Sequence, residues 1–92
     1  MEYVYPAVFH VCEEGGYSIR FPDLPGCYSQ GETLPDAMRF AQSALSEWLE
    51  YLTDKNENIP YASQVKNVKT EADNEFVTLI YIDGPMQREN AV

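Results

Sequence analysis

Apolar residues recur at steps of three and four between positions 34 and 52, which is the spacing of an amphipathic helix. Thr33 and Asp36 resemble a capping box, and Pro35 fits only within a first turn. We therefore predict a helix from about 34 to 53. Its predicted apolar stripe is Leu34, Ala37, Met38, Ala41, Leu45, Trp48, Leu49 and Leu52, widened by Phe40, Ala44 and Tyr51. Its predicted solvated face carries Asp36, Arg39, Gln42, Ser43, Ser46, Glu47 and Glu50.

Alternation of apolar and polar residues predicts four β-strands, at 2–12, 17–21, 27–30 and 75–82. The fourth is apolar on both faces, as expected of a strand that a helix covers on one side. Pro6 lies within the first strand and has no N–H to donate, so we expect it at an unpaired edge or an irregular strand start. On one face the first strand is predicted to carry Tyr3, Tyr5, Ala7, Phe9 and Val11.

Glycine and proline residues define the connections between these strands. Gly15 and Gly16 can take positive φ and favour a tight hairpin. Pro22 and Pro25 fix φ, and Gly26 permits a sharp reversal, so the loop after the second strand is predicted to be rigid. The positions expected to have structural roles are Gly15, Gly16, Pro22, Pro25, Gly26 and Thr33.

The predicted order is therefore β-β-β-α-β, an α+β fold with one long helix on a mainly antiparallel sheet. A chain of 92 residues has room for a single core, so we predict one small domain with a core at about 2–83. If the crossover through the helix is right-handed, the last strand lies beside the first and parallel to it.

Charge limits the partners that this chain can bind. Fifteen acidic and six basic residues give a formal net charge of −9. Such a charge repels phosphate and disfavours direct binding of nucleic acid, whereas it attracts a basic protein. The start, Met1-Glu2-Tyr3, has no signal-peptide pattern, and no apolar run reaches membrane-spanning length. We therefore expect a cytoplasmic protein without a membrane partner.

Residues that could carry chemistry are sparse. Cys12 and Cys27 are most simply small core residues, and a zinc site would need a carboxylate in addition to them and His10. His10 has no nucleophile or carboxylate partner that the sequence places beside it, so an ordinary strand role is expected. No cofactor, metal or catalytic residue is predicted.

Several short motifs resemble the N-terminal domain of HicB-type antitoxins, over most of residues 3–82. They are Tyr5-Pro6-Ala7, Glu13-Glu14-Gly15-Gly16-Tyr17, Phe21-Pro22-Asp23-Leu24-Pro25-Gly26-Cys27, Gly31-Glu32-Thr33 and Asp36-Ala37. The resemblance implies a partial ribonuclease-H-like fold. It also implies a role in a toxin–antitoxin system, the binding and blocking of a HicA-type toxin, a small basic protein that cleaves messenger RNA.

The C-terminus departs from many relatives of this type, which continue into a DNA-binding domain after the strand end that corresponds to Tyr81-Ile82-Asp83. This sequence ends at Val92. We therefore expect no C-terminal DNA-binding domain in it, and no repression of an operator by this chain.

The leading hypothesis is an antitoxin that masks the active site of its toxin. The candidate contact residues are Glu13, Glu14, Asp23 and Tyr28, around the hairpin and the rigid loop. One alternative is a solitary regulatory or small-ligand-binding domain. A second is a metal-dependent nuclease, which needs several converging carboxylates, yet the only acidic residue of the first strand is Glu2 at its start. Exposed strand edges and the apolar fourth strand also make a homodimer an expectation.

Overall fold

The computed structural model describes residues 2–84, and these form one long helix on a four-stranded sheet. The elements are β1 (Glu2–Val11), β2 (Tyr17–Arg20), β3 (Tyr28–Gly31), α1 (Leu34–Asp54), a single-turn 3₁₀ helix (Val65–Asn67) and β4 (Glu75–Asp83). The strand order across the sheet is β3-β2-β1-β4, and each neighbouring pair is antiparallel. This confirms the α+β class and the order β-β-β-α-β.

The expected parallel orientation of the last strand is wrong, because β4 lies beside β1 but antiparallel to it. After α1 the chain passes the start of β1, where the Tyr5 hydroxyl donates to the Pro60 carbonyl. It then travels back along the sheet to the far end of β1, where the Val11 N–H donates to the Asn74 carbonyl at 2.9 Å. Since β4 begins at that far end, it must run in the direction opposite to β1.

The core lies between α1 and one face of the sheet. From β1 it contains Tyr5, Ala7 and Phe9, as the alternation predicts. Pro6 and Val8, on the other face of β1, are buried as well, so the middle of this strand is enclosed on both sides. Pro6 lies beyond the β1–β2 ladder, which ends at the Val8–Arg20 pair, and its missing N–H therefore breaks no ladder hydrogen bond. The other core residues are Ile19, Phe21, Leu24, Cys27, Ala37, Ala41, Leu45, Leu49, Leu52, Ile80 and Ile82.

The burial of side chains on α1 differs from the prediction along the borders of the apolar stripe. Leu34, Phe40 and Tyr51 were placed on the apolar stripe, but they are 42%, 50% and 48% exposed. Ser46 was placed on the solvated face, but only 2% of it is exposed. The core stripe is therefore narrower than the sequence suggests, and two aromatic rings remain at the surface.

The predicted turn residues take the conformations that the sequence favours. Gly15, Gly16 and Gly26 have φ of 104°, 86° and 98°, in the region that L side chains avoid. At the start of α1 the Thr33 hydroxyl accepts a hydrogen bond from the Asp36 N–H at 3.2 Å. The cap predicted from the sequence is confirmed.

Two carboxylates fasten the connection between α1 and β4. Asp23 accepts hydrogen bonds from the backbone N–H and the hydroxyl of Ser63, at 2.7 and 2.6 Å. Glu75 accepts one from the Glu71 N–H at 2.9 Å. The polar segment between α1 and β4 is thus held near both of its ends by hydrogen bonds to acidic side chains.

Glu75 is also the centre of a buried ionic network on the face of the sheet opposite α1. Its side chain is 4% exposed and receives both guanidinium nitrogens of Arg20, at 3.0 and 3.2 Å. The His10 Nδ1 donates to the same carboxylate at 3.0 Å. Hydrogen bonds from Arg20, the Glu71 N–H and His10 lower the pKa of Glu75 from 4.5 to about 2, against the opposing effect of burial.

Gly31 marks the closest approach between the sheet and α1. A Cβ atom at this position would lie 2.5 Å from the Ala37 nitrogen, a backbone atom that cannot move aside. A side chain of any size here would force β3 away from the helix.

We predict that Glu75→Gln lowers stability in a pH-dependent way. The depressed pKa of Glu75 makes its ionised form stabilising, so the advantage of the wild type is complete above about pH 4.5 and disappears as the pH falls towards 2. Urea unfolding at stepped pH measures this, with the exposed Glu57→Gln as the control. A difference between the wild type and Glu75→Gln that stays constant from pH 6 to pH 2 would contradict the assignment.

We predict that Gly31→Ala lowers the free energy of unfolding by about 1–3 kcal/mol, the usual cost of overpacking a tight contact. Gln30→Ala on the same strand is the control, since Gln30 is exposed. Thermal or urea unfolding measures both variants. Equal stability of Gly31→Ala and Gln30→Ala would show that the helix and β3 can separate at little cost.

Candidate functional site

A surface cavity with a volume of about 500 Å³ lies between the β1–β2 hairpin, β3 and the first turns of α1. We call it the hairpin cleft. The residues that line it include Cys12, Tyr17, Gly31, Glu32, Asp36 and Phe40.

The cleft is shaped by close backbone packing. A Cβ atom on Gly16 would lie 3.1 Å from the Gly31 carbonyl oxygen, and Gly31 in turn meets Ala37 at the start of α1. Hairpin, β3 and helix therefore stack with only backbone between them. A surface built this way is preformed, so a partner that docks on it loses little free energy in ordering it.

Acidic side chains surround the cleft. Glu13 and Glu14 are exposed on the hairpin between two of its lining residues, and Glu32 is exposed beside the helix start. Within residues 2–84 these three carboxylates form no ion pair, whereas Asp36 pairs with Arg39. Among the described residues, no ion pair offsets the negative charge of these three side chains around the cleft.

An exposed aromatic ring accompanies this charge. Phe40 lines the cleft and is 50% exposed. Apolar groups at the surface lose hydration when a partner covers them, which adds affinity that salt does not screen. The combination suits a basic protein surface that also presents an apolar group.

The four predicted contact residues do not lie together. Glu13 and Glu14 lie beside the hairpin cleft, at one end of β2, whereas Asp23 and Tyr28 lie at its other end. The Asp23 carboxylate is bonded to Ser63. Tyr28 is 68% exposed and lies on the face of the sheet opposite α1, across from Arg20.

Sequence reasoning missed Glu32, Asp36 and Phe40 as parts of the same surface. A signal for Glu32 was present, because Gly31-Glu32-Thr33 places it directly before a helix cap. Phe40 was assigned to the core because its helical spacing matches the apolar stripe. Only the position of the hairpin next to the first turns of α1 shows that these residues share a cleft.

The two cysteines and His10, which the sequence analysis considered for chemistry, lie in surroundings typical of structural residues. Cys27 is 3% exposed, and burial raises the pKa of its thiol to about 11. Cys12 is half-buried, and the Nε2 of His10 faces the Asn74 amide at 3.3 Å while its Nδ1 contacts Glu75. Across residues 2–84, no three histidine, cysteine, aspartate or glutamate side chains are grouped as a metal site requires.

Within the same range, α1 is the long helix, and neither it nor the short 3₁₀ turn has the length and apolar character needed to cross a bilayer.

Sequence comparisons identify relatives among known antitoxins. A family model described as "HicB_like antitoxin of bacterial toxin-antitoxin system" matches residues 5–91. The chain is 39% identical over 61 residues to antitoxin HicB 1 of Photorhabdus laumondii, covering 66% of this chain and 39% of that protein. It is 36% identical over 63 residues to antitoxin HicB of Escherichia coli K12, covering 68% and 46%. The chain thus spans less than half the length of these two relatives.

Solved structures share the fold. The crystal structure of the N-terminal domain of Burkholderia pseudomallei antitoxin HicB superposes with a TM-score of 0.73 at 27% identity, covering 88% of this chain and 99% of that one. A toxin–antitoxin complex from Streptococcus pneumoniae contains a chain that superposes with a TM-score of 0.80 at 19% identity, covering 90% and 70%. At that identity the second match concerns the fold alone.

The family match extends over nearly the whole chain, and both the strand order and the helix agree with the solved structure of an antitoxin domain. This chain belongs to the family of HicB-like antitoxins of bacterial toxin–antitoxin systems.

Proposed function

We propose that this chain neutralises a HicA-type toxin, a small basic RNA-cleaving protein, by covering its active site with the hairpin cleft. Support comes from the family and from the two relatives described above, which are named antitoxins. A structure titled "HicA3 and HicB3 toxin-antitoxin complex" also shares the fold, with a TM-score of 0.65 at 21% identity, covering 84% of this chain and 94% of that one.

The main support for the proposal is the negative charge around the hairpin cleft. Glu13, Glu14 and Glu32 present three carboxylates to solvent around one concavity, and Phe40 offers an apolar contact among them. An enzyme that binds RNA presents cationic side chains to phosphate. Carboxylates fixed on a preformed surface can occupy those cations, and they also accelerate the encounter through attraction at long range.

In this proposal the chain acts by binding in the cytoplasm, as one domain and without a cofactor. Glu13 and Glu14 are contact residues. Asp23 has a different task, since it holds Ser63 and so fixes the start of the connection to β4.

We predict that the double variant Glu13→Lys/Glu14→Lys raises the Kd for the toxin by about tenfold or more, because it places cations opposite cations. The control is Asp54→Lys/Glu57→Lys, which changes net charge equally but lies around the C-terminal end of α1, where both residues are exposed. We expect the control to change Kd by less than about threefold at moderate salt. Calorimetric titration with a purified, active-site-inactivated HicA-type toxin measures both, and circular dichroism verifies folding.

Two outcomes would contradict the proposal. Equal weakening by both double variants would mean that overall charge, and not the cleft, attracts the toxin. No binding by the wild type even at low salt, where attraction is least screened, would remove the toxin-masking role and favour a solitary regulatory domain.

A further inference from the structure

The chain turns back on itself at the C-terminal end of α1. Asn56, with a φ of 60°, is the one non-glycine residue in positions 2–84 that takes a positive φ. The Glu57 N–H donates to the Leu52 carbonyl at 2.9 Å, and the Asn56 N–H donates to the Thr53 carbonyl at 3.0 Å. This pair of hydrogen bonds is a Schellman motif. It fixes the backbone of Glu57 beside the last turn of the helix.

Another surface cavity, of about 360 Å³, lies between this turn and the loop that follows β2. We call it the aromatic pocket. Glu57 is the one charged residue among those of positions 2–84 that line it. Its volume lies within the range of small-molecule sites in proteins. Rings and aliphatic side chains form most of its wall, among them Leu24, Pro25, Trp48, Tyr51 and Pro60.

The aromatic wall of the pocket is held in place by the loop after β2. A Cβ atom on Gly26 would lie 3.0 Å from Cη2 of Trp48, so the indole ring packs directly on the backbone of that loop. The centroids of the Trp48 and Tyr51 rings are 5.4 Å apart, with 36° between the ring planes. Pro25 and Pro60 restrict the backbone on the other sides. Because the pocket is preformed, a ligand loses little free energy in ordering it.

The pocket has the electrostatic character of a cation site. The Lys55 ammonium lies over the Tyr51 ring, 5.8 Å from its centroid, so one cation of the chain already uses an aromatic face of this wall. Glu57 adds a carboxylate that forms no ion pair with any other residue that the structure describes. Ring faces and carboxylate together favour a ligand with a positive charge.

We propose that the aromatic pocket binds a weakly hydrated organic cation, a quaternary ammonium or a guanidinium group, against the rings of Trp48 and Tyr51 and near the Glu57 carboxylate. Aromatic faces attract such cations. The apolar wall disfavours a strongly hydrated ion, because that ion would give up water without gaining hydrogen bonds in exchange. The cation belongs either to a free small molecule or to an arginine side chain of a protein.

This site is separate from the hairpin cleft. The cleft lies at the start of α1 and the aromatic pocket at its end, and a helix of 21 residues is about 30 Å long. A ligand in the pocket therefore leaves the cleft open. The inference does not depend on the proposed function.

The fluorescence of Trp48 provides a direct test, because it is the only tryptophan in the chain. The full chain is titrated at constant ionic strength with choline and with its uncharged carbon analogue, 3,3-dimethylbutan-1-ol. The two compounds have the same shape, so a difference in Kd reports on the charge. We expect the Kd for choline to be lower by about threefold or more.

A parallel titration with N-acetylarginine amide distinguishes the two sources of the cation. A lower Kd for this compound than for choline assigns the pocket to an arginine side chain of a partner. A lower Kd for choline assigns it to a free quaternary ammonium compound.

Three variants locate the binding. Tyr51→Leu removes a ring and Glu57→Gln removes the carboxylate, and each should raise the Kd for choline by about twofold or more. Lys55→Met removes a competing cation and should lower that Kd. Glu13→Gln is the matched control for Glu57→Gln, since it makes the same charge change at an exposed residue beside the hairpin cleft, and it should leave the Kd unchanged. Circular dichroism verifies that each variant is folded.

Three results would overturn the proposal. The first is a fluorescence of Trp48 that responds to none of the compounds. The second is equal binding of choline and its uncharged analogue, which would mean that the pocket selects for apolar shape alone. The third is choline binding that both Tyr51→Leu and Glu57→Gln leave unchanged.

Discussion

The contact between the apolar stripe of α1 and one face of the sheet is the interaction on which the rest of the structure depends. A chain of 92 residues can bury a single core, and the helix contributes Ala37, Ala41, Leu45 and Leu49 to it. The small side chains at the start of the stripe let the helix approach so closely that only glycine fits at position 31. That approach brings the hairpin to the first turns of the helix, and the cleft is the consequence.

Local sequence patterns correctly predicted the secondary-structure elements, which depend mainly on neighbouring residues. The helix, its cap, the glycine hairpin and the four strands all appear within a few residues of their predicted positions, because periodicity and turn chemistry act over short distances. The direction of β4 was not predictable in this way. It depends on a connection that returns along the whole sheet, and that path is fixed by hydrogen bonds between distant residues, such as Asp23 with Ser63.

The site was predictable only in part for the same reason. Glu13 and Glu14 follow from the hairpin motif, but their grouping with Glu32 and Phe40 requires the packing of three elements. The Glu75 network was not anticipated either, because Arg20 and His10 lie on different strands and more than fifty residues earlier in the sequence. An aromatic residue at helical spacing, such as Phe40, can belong either to the core or to an exposed surface. Which of the two applies depends on how much of the helix surface packs against the sheet.

Titration of the ¹⁵N-labelled chain with an unlabelled, inactivated HicA-type toxin tests the central claim most directly, because amide shifts report on every residue at once. We expect the largest shift changes at residues 12–17 and 31–40, which include most of the residues that line the hairpin cleft. Changes concentrated at residues 21–28, or along β4, with the hairpin unaffected, would contradict it.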